Sequence, residues 1–488
     1  MLNMADVQGN ILTGYRKQRV RHLVLKVTDR AAARRWLTAC TSGGEGVPQI
    51  TTEAGRPSKK GDANRSKPET FFNIGLTFEG LRALGVPESS LKTFPIEFAE
   101  GMHASAVKLG DVGLSAPKTW PSPFDDPGRV HLVATIHADD EAQLKREQDR
   151  ALGGGHGLEL LDFRDGCNLP EDVVHFGYRD NITQPRFVDV HDRESYPDAQ
   201  PQAPLGTVLL GYPTNFEGLR WTVPKPEVLG LNGSFNAFRV LEQDVAGFEK
   251  YLDEAATILL NNREASELLL PPGAEAKIAE RLSKYRPTRD AIAASGGPMT
   301  RQAAMREVVA AHLCGRWRDG TPMALSPDLP GETKNLTDFD YDDNLGCPYG
   351  AHIRRCNPRG GQIVQRVANN SRRLVRRGRP YGPLFNPKEP DKVERGLLGN
   401  FIGASISAQF EAMSYDWLNV GLQDPRLTGS NDPIAGASEP GTSWFDVRLK
   451  SGTTIQLRGM PRFVHTRGGA YTFLPSISAI RFLGSLTN

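Results

Sequence analysis

The stretch from residue 316 to residue 400 most constrains this chain, because it has little helix or strand periodicity. It is rich in Gly, Pro, Asn, Asp and Arg, and periodic segments lie on both sides of it. A run of this length without regular structure is uncommon inside a compact chain, where it either carries function or is disordered. Its composition favours function, so the sequence predicts long loops built around something that the composition itself does not identify.

The periodic segments predict an α+β fold with antiparallel sheets. Residues 19–27 and 129–139 have the near-alternating polarity of strands with one solvated face. Residues 71–84 are typical of a strand and a short helix that ends at Gly85, and Asp140 is a predicted N-cap of the helix that follows it. Further strands are predicted at 207–212, 235–241, 453–458, 463–464 and 471–474, and further helices at 243–262, 273–285, 300–314 and 476–484.

The length predicts more than one domain. The chain has 488 residues, well above the roughly 250–300 residues at which a single hydrophobic core stops growing. The strand and helix order partly repeats after about residue 205. We therefore expect an N-terminal domain over residues 1–205 and a C-terminal domain over residues 206–488.

Charge and cysteine content exclude several classes of protein. The 59 Lys and Arg residues nearly balance the 57 Asp and Glu residues, which argues against a dedicated binder of nucleic acid or anionic membranes. The sequence contains neither an apolar run long enough to span a membrane nor a recognisable secretory signal. Five cysteines form an odd and sparse set, typical of reduced thiols. A cytoplasmic location is the expectation.

Several common catalytic motifs are missing from the sequence. The chain has no HExxH, CxxC or GxSxG segment, and the glycines of 153–157 lack the spacing of a nucleotide-binding loop. Cys347 and Cys356 are spaced unlike the cysteines of common zinc sites. CxxCH is missing too, which excludes covalent attachment of a c-type haem.

The segment CPYGAHIRRCNPR (347–359) places His352 among prolines, glycines and arginines. Periodicity alone favours a partly buried histidine beside a solvated basic surface. In the other interpretation, the neutral imidazole binds iron and the arginines pair with carboxylates of a bound ligand. Downstream, RRLVRRGR (372–379) holds five arginines in eight positions. That density indicates either an anionic ligand or a charged surface.

Seven segments together carry a resemblance to a known family. They are DVQGNIL (6–12), FAEGMHASAVKLGD (98–111), GYRDNITQP (177–185), GRWRDGTP (315–322), CPYGAHIRRCNPR (347–359), RRLVRRGRPYGP (372–383) and RGGAYTFLPSISAIRFL (467–483). In this order they resemble the dye-decolourising peroxidases, a family of haem peroxidases, and specifically its larger bacterial and fungal subgroup. Two positions depart from the family pattern: Ser105 stands where Arg is usual, and Asn181 stands where Gly is usual.

The resemblance implies a fold, a cofactor and a set of site residues. The fold would be two ferredoxin-like α+β domains of the dimeric α+β barrel-like superfamily, holding one non-covalent haem b per chain. His352 matches the proximal iron ligand, Asp180 the distal acid–base residue and Arg376 the distal arginine. Arg354 and Arg359 join His352 and Arg376 as expected cofactor-binding residues. If position 181 needs a positive φ, Asn is the next most tolerant residue after Gly.

The implied function is the reduction of hydrogen peroxide coupled to the oxidation of dyes, phenols or other bulky one-electron donors. The expected partners are therefore peroxide and aromatic reductants, with neither nucleic acid nor a membrane. The alternative is a haem-binding storage, sensing or iron-handling protein with weak peroxidase turnover. The segment FIGASISAQFE (401–411) offers Ser405 and Glu411 as partners of His352 without deciding between them. Electron-relay candidates, each also explicable as ordinary packing, are Trp317, Tyr381, Tyr415 and Trp417.

Overall fold

One curved antiparallel sheet organises the chain in the computed structural model. The structure describes residues 2–44, 46–55, 68–188, 190–191, 202–216, 218–285, 289–290, 296–331, 336–341, 346–359 and 372–487. The strands are β1 (Arg19–Val27), β2 (Phe71–Leu76), β3 (Leu132–Ala138), β4 (Leu158–Cys167), β5 (Ser234–Gln243), β6 (Val375–Arg376), β7 (Arg379–Tyr381), β8 (Gly396–Gly403), β9 (Trp444–Arg448), β10 (Thr454–Arg458) and β11 (Val464–Leu474).

Helices cover the outside of this sheet. The longer ones span Arg30–Ser42, Ile96–Ala104, Glu141–Leu152, Val245–Asn261, Arg263–Leu269, Ala274–Leu282, Arg301–Cys314 and Ile477–Ser485. Short helical turns span Phe78–Ala83, Glu88–Leu91, Ala106–Leu109, Glu227–Gly230 and His352–Cys356, and π-helical turns span Ile406–Glu411 and Met413–Asn419. Among the described residues, no helix is both long and apolar enough to cross a membrane.

The strand order is β4-β1-β3-β2-β11-β5-β8-β6, with β7 also paired to β8, and β9 and β10 form a separate hairpin. The two ends of the sheet approach each other. A Cβ added to Gly166 of β4 would lie 2.8 Å from the Cβ of Arg379 and 3.1 Å from the carbonyl oxygen of Pro380 on β7. Glycine therefore permits the close contact through which the sheet curls into a barrel.

The α+β class with antiparallel strands, predicted from the sequence, is confirmed. Strands β1 to β4 precede residue 205, the barrel strands β5 to β8 and β11 follow it, and the two groups meet where Leu76 of β2 pairs with Phe473 of β11. The division into domains 1–205 and 206–488 stays a prediction. Helices predicted at 243–262, 273–285, 300–314 and 476–484 are confirmed within two or three residues at their ends.

Three expectations about the strands were wrong. Strands β1 and β3 have no solvated face, since Val20 to Leu25 are all buried and only Thr135 of β3 is partly exposed. Helices cover one side of these strands and the barrel interior the other. The apolar run 207–212 forms no strand. It follows the helical turn Leu205–Thr207 and is buried without forming a ladder of hydrogen bonds with another strand. Apolarity alone does not distinguish such a segment from a buried strand. Strands β6 and β7 lie within the stretch 316–400, which was predicted to be irregular, and β8 begins in it and continues to Gly403. The glycines of β8 hide the pattern, yet a Cβ on Gly396 would lie 1.9 Å from the Leu241 carbonyl oxygen on β5.

Candidate active site

A cavity of about 390 Å³ lies against the β5, β8 and β11 part of the sheet. Its floor includes Leu241 of β5, Phe401 of β8 and Val464 of β11. The remaining sides are closed mainly by residues between 174 and 185, 314 and 316, 352 and 359, 373 and 376, 410 and 419, and 434 and 435. A volume of this size is typical of cofactor and ligand sites in proteins.

The structure brings four of the five predicted site residues to this cavity. Asp180, His352, Arg359 and Arg376 all line it, although they are far apart in sequence. Arg354 does not line it: its Nη1 donates to the Cys347 carbonyl oxygen over 2.6 Å, and its guanidinium stacks over Tyr349 and Tyr341. Its position therefore indicates a role in packing beneath the cavity and does not support direct contact with a cofactor.

His352 begins the helical turn His352–Cys356 and is held by a buried carboxylate. Its Nδ1 lies 3.0 Å from Oδ1 and 3.1 Å from Oδ2 of Asp432, so an Nδ1–H donates to that carboxylate. The Asp432 side chain is fully buried, and Oδ1 also accepts from the backbone N–H groups of Ile434 and Ala435. This partner fixes the ring and leaves Nε2 as the nitrogen that a metal can take.

Electrostatics within this pair keep Asp432 ionised. Burial acts to lower the pKa of His352, but the Asp432 carboxylate outweighs it and holds that pKa well above its ordinary value. Burial alone would raise the pKa of Asp432, whereas the imidazole of His352 lowers it below the usual range. Arg355 supports the arrangement by donating to the Ser430 carbonyl oxygen over 3.0 Å, which ties the His352 turn to the segment before Asp432.

Asp432 was missed by sequence reasoning, and both candidates for the partner of His352 were wrong. Ser405 instead caps the π-helical turn by accepting from the Ala408 N–H, and Glu411 accepts hydrogen bonds from Ser105, Lys108 and Tyr471. Asp432 lies 80 positions from His352. No local pattern marks it, since an Asp before Pro is a common turn residue.

His352, Cys356 and Asp432 form a small cluster of side chains that could bind a metal ion. The ligating atoms of His352, Cys356 and Asp432 all lie within 4.8 Å of one another. The Asp432 carboxylate is already engaged by Nδ1 and by two backbone N–H groups. Among these three residues, His352 and Cys356 line the cavity, and the neutral imidazole is the better-supported iron ligand.

Asp180 sits on a loop whose backbone is fixed from two sides. Its own N–H donates to the Asp172 carbonyl oxygen over 2.9 Å, and the Arg179 N–H donates to the Arg318 carbonyl oxygen over 3.0 Å. Asn181 has a φ of 60°, so the condition under which Asn is the best replacement for Gly is met at this position. Its side chain is exposed and does not line the cavity, so the replacement of Gly leaves the cavity open.

Arg376 is held against the same loop. Its backbone N–H donates to Gln184 Oε1 over 3.2 Å, the Gln184 amide donates back to its carbonyl oxygen over 2.9 Å, and its Nη2 donates to the Thr183 carbonyl oxygen. Residues 180 and 376 are therefore brought to one wall of the cavity by a reciprocal amide bridge. The side chain of Arg376 stays exposed to solvent.

The arginine run 372–379 divides between the cavity and the scaffold. Arg373 and Arg376 line the cavity. Arg372 pairs with Asp416 over 2.7 Å, and Arg377 and Arg379 donate to backbone carbonyl oxygens near residues 10 to 17. Both interpretations of the run, an anionic ligand and a structural surface, therefore apply to different members of it.

Seven arginines and only one carboxylate, that of Asp180, line the cavity within the part of the chain that is described. The arginines are Arg179, Arg239, Arg316, Arg359, Arg373, Arg376 and Arg462. Burial lowers the pKa of Arg373 to about 10 and that of Arg462 to about 10. Asp111 neutralises Arg239 through contacts of 2.6 Å and 2.7 Å. Among the described lining residues, the excess of guanidinium groups over carboxylates favours an anionic occupant.

The haem implied by the resemblance fits this cavity. The lining combines apolar side chains, such as Phe401 and Ile434, with guanidinium groups that match carboxylates. One buried polar atom of a lining residue, Gln243 Oε1, has no hydrogen-bond partner among the described residues. A large flat group with an apolar body and anionic edges would cover the apolar side chains, and it would give the polar groups of the lining possible partners.

Comparison with known proteins shows which proteins this chain is similar to. Residues 6–152 match the family model described as the DyP dimeric alpha+beta barrel domain. The chain is 26% identical over 517 residues to Peroxidase 2 of Mycetinis scorodonius, covering 98% of this chain and 87% of that one. It is also 26% identical to a multifunctional dye peroxidase of Amycolatopsis sp., covering 98% and 95%.

Solved structures give the same result over nearly the whole length. A dye-decolorizing peroxidase in complex with 2,6-dimethoxyphenol superposes with a TM-score of 0.76 at 26% identity, over 99% of this chain and 100% of that one. An ancestral D-type dye-decolorizing peroxidase superposes with a TM-score of 0.77 at 26% identity and the same coverage. The fold and the site together define a peroxidase built on an α+β barrel.

Over nearly its whole length the chain is similar to dye-decolourising peroxidases. The relatives are named as peroxidases, and they do not favour the alternative of a haem storage, sensing or iron-handling protein. Peroxidases of this family depend on haem.

Proposed function

We propose that this protein is a haem b peroxidase that reduces hydrogen peroxide and oxidises dyes, phenols or other bulky one-electron donors. The observation that carries the proposal is the convergence of His352, Asp180 and Arg376 on one cavity, with His352 fixed by the buried Asp432. A binding protein without turnover has no need of an acid–base carboxylate and an exposed arginine at the same cavity wall. Relatives named as dye peroxidases support the proposed reductants.

One haem b would be held per chain without a covalent link, since the sequence lacks CxxCH. His352 would bind the iron through Nε2 while Nδ1–H stays on Asp432. Arg359 and Arg373, which line the cavity, are the proposed partners of the haem carboxylates. A bound haem would supply the redox chemistry that couples the two-electron reduction of peroxide to one-electron oxidation of the reductants.

Asp180 and Arg376 act on the peroxide itself. The Asp180 carboxylate takes a proton from one peroxide oxygen and returns it to the other, which becomes the leaving water. Arg376 is permanently charged and stabilises the negative charge that develops as the oxygen–oxygen bond breaks. The exposure of Arg376 and the half-exposure of Asp180 leave this wall within reach of peroxide from solvent.

The Asp432 carboxylate serves the other side of the reaction. By accepting the Nδ1–H of His352, it raises the electron donation of the imidazole and prevents the ring from turning. Because Asp432 is fully buried and bonded to two backbone N–H groups, it holds its position without competition from water.

Aromatic reductants are the proposed electron donors. A dye-decolorizing peroxidase of similar fold binds 2,6-dimethoxyphenol, and a substrate of that class is expected here. Of the four relay candidates from the sequence, Trp317 and Trp417 are buried, with 1% and 3% exposure, whereas Tyr415 is 43% exposed. Their burial fits the ordinary packing interpretation for the two tryptophans.

A cytoplasmic location is also a proposal. It is supported by the five cysteines, all of which carry free thiols, and by the burial of Cys40, Cys314 and Cys347. Cell fractionation of the source organism, followed by detection with an antibody, tests it. Recovery of the protein outside the cytoplasmic fraction contradicts it.

An absorption spectrum of the purified protein, followed by peroxide and a dye, tests the proposed function. We expect a Soret band in the wild type and its loss in His352→Ala. His103→Ala is the matched control, because His103 is partly buried and lies outside the cavity. A protein that binds haem in both variants alike, or that shows a Soret band but neither a spectral change with peroxide nor dye oxidation, would contradict the proposal.

A further inference from the structure

A second buried carboxylate lies outside the set of residues that line the cavity. The Glu411 side chain is fully buried, and three donors converge on it. Ser105 Oγ donates to Oε1 over 2.5 Å, Tyr471 OH donates to Oε1 over 2.9 Å, and Lys108 Nζ donates to Oε2 over 2.8 Å. The proton transfer and charge stabilisation described above do not involve this group of four residues, which we call the Glu411 cluster.

The Glu411 cluster adjoins the cavity through one aromatic ring. Phe410 lines the cavity, and its ring meets that of Tyr471 edge to face, with centroids 6.2 Å apart. Tyr471 lies on β11 and is 2% exposed. A buried phenol therefore stands one ring behind the cavity wall, with its hydroxyl on a carboxylate that can accept a proton.

We propose that Tyr471 is a redox-active tyrosine, which gives one electron to the haem that the cavity would hold, while its phenolic proton passes to Glu411. The inference rests on the proposed peroxidase function, because that function supplies the oxidant. The O–H bond of Tyr471 breaks, an O–H bond forms on the Glu411 carboxylate, and a neutral tyrosyl radical remains. The electron provides one of the two that, with two protons, reduce hydrogen peroxide to two molecules of water.

The hydrogen bond to a carboxylate is what makes this oxidation feasible. Removing an electron from a buried phenol creates a cation in a medium of low dielectric, which is costly unless the proton leaves at the same time. At 2.9 Å the proton needs to move only along an existing hydrogen bond. Burial is the main cause that raises the pKa of Tyr471 well above its ordinary value, so the phenol stays protonated until it is oxidised.

Lys108 stabilises the carboxylate before the proton arrives. Its side chain is 49% exposed, and its Nζ forms an ion pair with the otherwise isolated charge of Glu411. The hydrogen bond to Glu411 raises the pKa of Lys108, which keeps the ammonium charged. Once Glu411 is protonated, Lys108 can turn its charge towards solvent, so the cluster carries no net buried charge in either state.

Other phenols near the cavity lack this combination. Tyr178 and Tyr341 line the cavity, but the Tyr178 hydroxyl donates to the Ala310 carbonyl oxygen, which is a poor base. Tyr381 donates to the Glu394 carboxylate over 2.8 Å. However, Glu394 is exposed and Tyr381 does not line the cavity. Proximity and a buried proton acceptor therefore occur together at Tyr471.

Freeze-quench EPR of the haem-loaded protein after one equivalent of peroxide tests the proposal. We expect a tyrosyl signal in the wild type that narrows when ring-deuterated tyrosine is incorporated. Tyr471→Phe, which removes one hydroxyl group, should lose the signal. Glu411→Gln should also lose it, because the amide keeps an acceptor oxygen but cannot take the proton. Tyr178→Phe is the matched control and should keep it.

A second measurement covers the case in which Glu411→Gln does not fold. ENDOR of the wild-type radical in deuterated water should show an exchangeable deuteron hydrogen-bonded to the phenoxyl oxygen, since protonated Glu411 donates back to it. A signal unchanged in Tyr471→Phe, a signal lost in Tyr381→Phe instead, or no tyrosyl signal in a wild type whose Soret band responds to peroxide would overturn the proposal. Failure of the Soret band itself to appear or to respond would instead overturn the proposed function.

Discussion

The two sides of the active-site cavity are built in different ways. His352 is fixed through a fully buried carboxylate, and that carboxylate is held in turn by two backbone N–H groups. Asp180 and Arg376 lie on exposed or half-exposed segments, which are tied mainly through their backbones to Asp172, Arg318 and Gln184. One side relies on side-chain electrostatics in a dry interior, and the other relies on main-chain geometry beside water.

The difference matches the tasks that we assign to each side. A ligand to iron must keep its protonation state and orientation, and burial of its partner secures both. A group that exchanges protons with peroxide must be reached by solvent, so its position is better fixed by the backbone than by packing around the side chain. The following predictions measure each side separately.

The largest effect is expected at Asp180. Asp180→Asn keeps the size of the side chain but removes the proton acceptor, so the rate of reaction with peroxide should fall about 100-fold to 10,000-fold. The Soret band should remain, because the His352 side is untouched. Stopped-flow absorption with peroxide measures the rate. Asp172→Asn on the same loop is the control, and equal rates in the two variants would refute the assignment of the acid–base role.

A smaller loss is expected from Asp432→Asn. The amide still offers one acceptor oxygen to Nδ1–H, but the negative charge is gone, so haem affinity or activity should fall about 10-fold to 100-fold. Titration of the apoprotein with haem, followed by the Soret band, measures the affinity. Asp446→Asn, on β9 and away from the cavity, should show no change. If the two variants bound haem equally well, the buried pair would not stabilise the ligand.

The contribution of His175, which lies five residues before Asp180, to the free energy of unfolding should be sensitive to acid. Burial lowers the pKa of His175 to about 4, and its Nε2–H donates to the Tyr381 carbonyl oxygen over 2.8 Å. The unfolded chain therefore binds more protons than the folded chain between pH 6.5 and pH 4. The stabilisation is complete above pH 6.5 and is lost as the pH falls towards 4, at up to about 1.4 kcal/mol per pH unit.

Urea unfolding between pH 4 and pH 7 tests this prediction. His175→Asn can still donate to Tyr381 but does not titrate, so its free energy of unfolding should fall less steeply with acid than that of the wild type. Other buried histidines contribute equally to both proteins, and the difference between the two curves isolates His175. Parallel curves for the two proteins would show that protonation of His175 does not contribute to the pH dependence of the free energy of unfolding.

The smallest effect is expected at Asn181. Its φ of 60° is costly for a residue with a Cβ and no local hydrogen-bonding side chain, so Asn181→Ala should lower the free energy of unfolding by about 1 kcal/mol. Asn181→Gly, which adopts this conformation freely, is the matched control and should lose less. Chemical denaturation monitors both. A larger loss in the glycine variant would show that the Asn side chain does more than tolerate the turn.

The strands and helices with strong periodicity could be predicted from the sequence, and β8 could not. Asp140 caps its helix as expected, with the carboxylate accepting from the Gln143 N–H, because capping depends on residues three positions apart. The identity of β8 depends on Gly396 and Gly403 fitting against β5, which is a property of the partner strand. The local sequence of β8 therefore does not indicate that it pairs with β5.

The same distinction applies to the site. His352, Asp180 and Arg376 were predicted from their motifs, and the structure brings all three to one cavity. Asp432 and the cavity-lining arginines Arg239 and Arg462 were not predicted, because the role of each depends on the residues that face it in the folded chain. Arg354 shows the converse: it lies in the right motif, but its guanidinium points towards Cys347 and two tyrosines.

The place of β11 in the sheet has a consequence for the order of events during synthesis. It is the last barrel strand along the chain, yet it lies between β2 and β5 in the middle of the sheet, and its residues Val464 and Thr466 line the cavity. Chains emerge from the ribosome with their N-terminal part first. The barrel therefore stays open until β11 has been released, and the cofactor is loaded after translation of this strand rather than onto the growing chain.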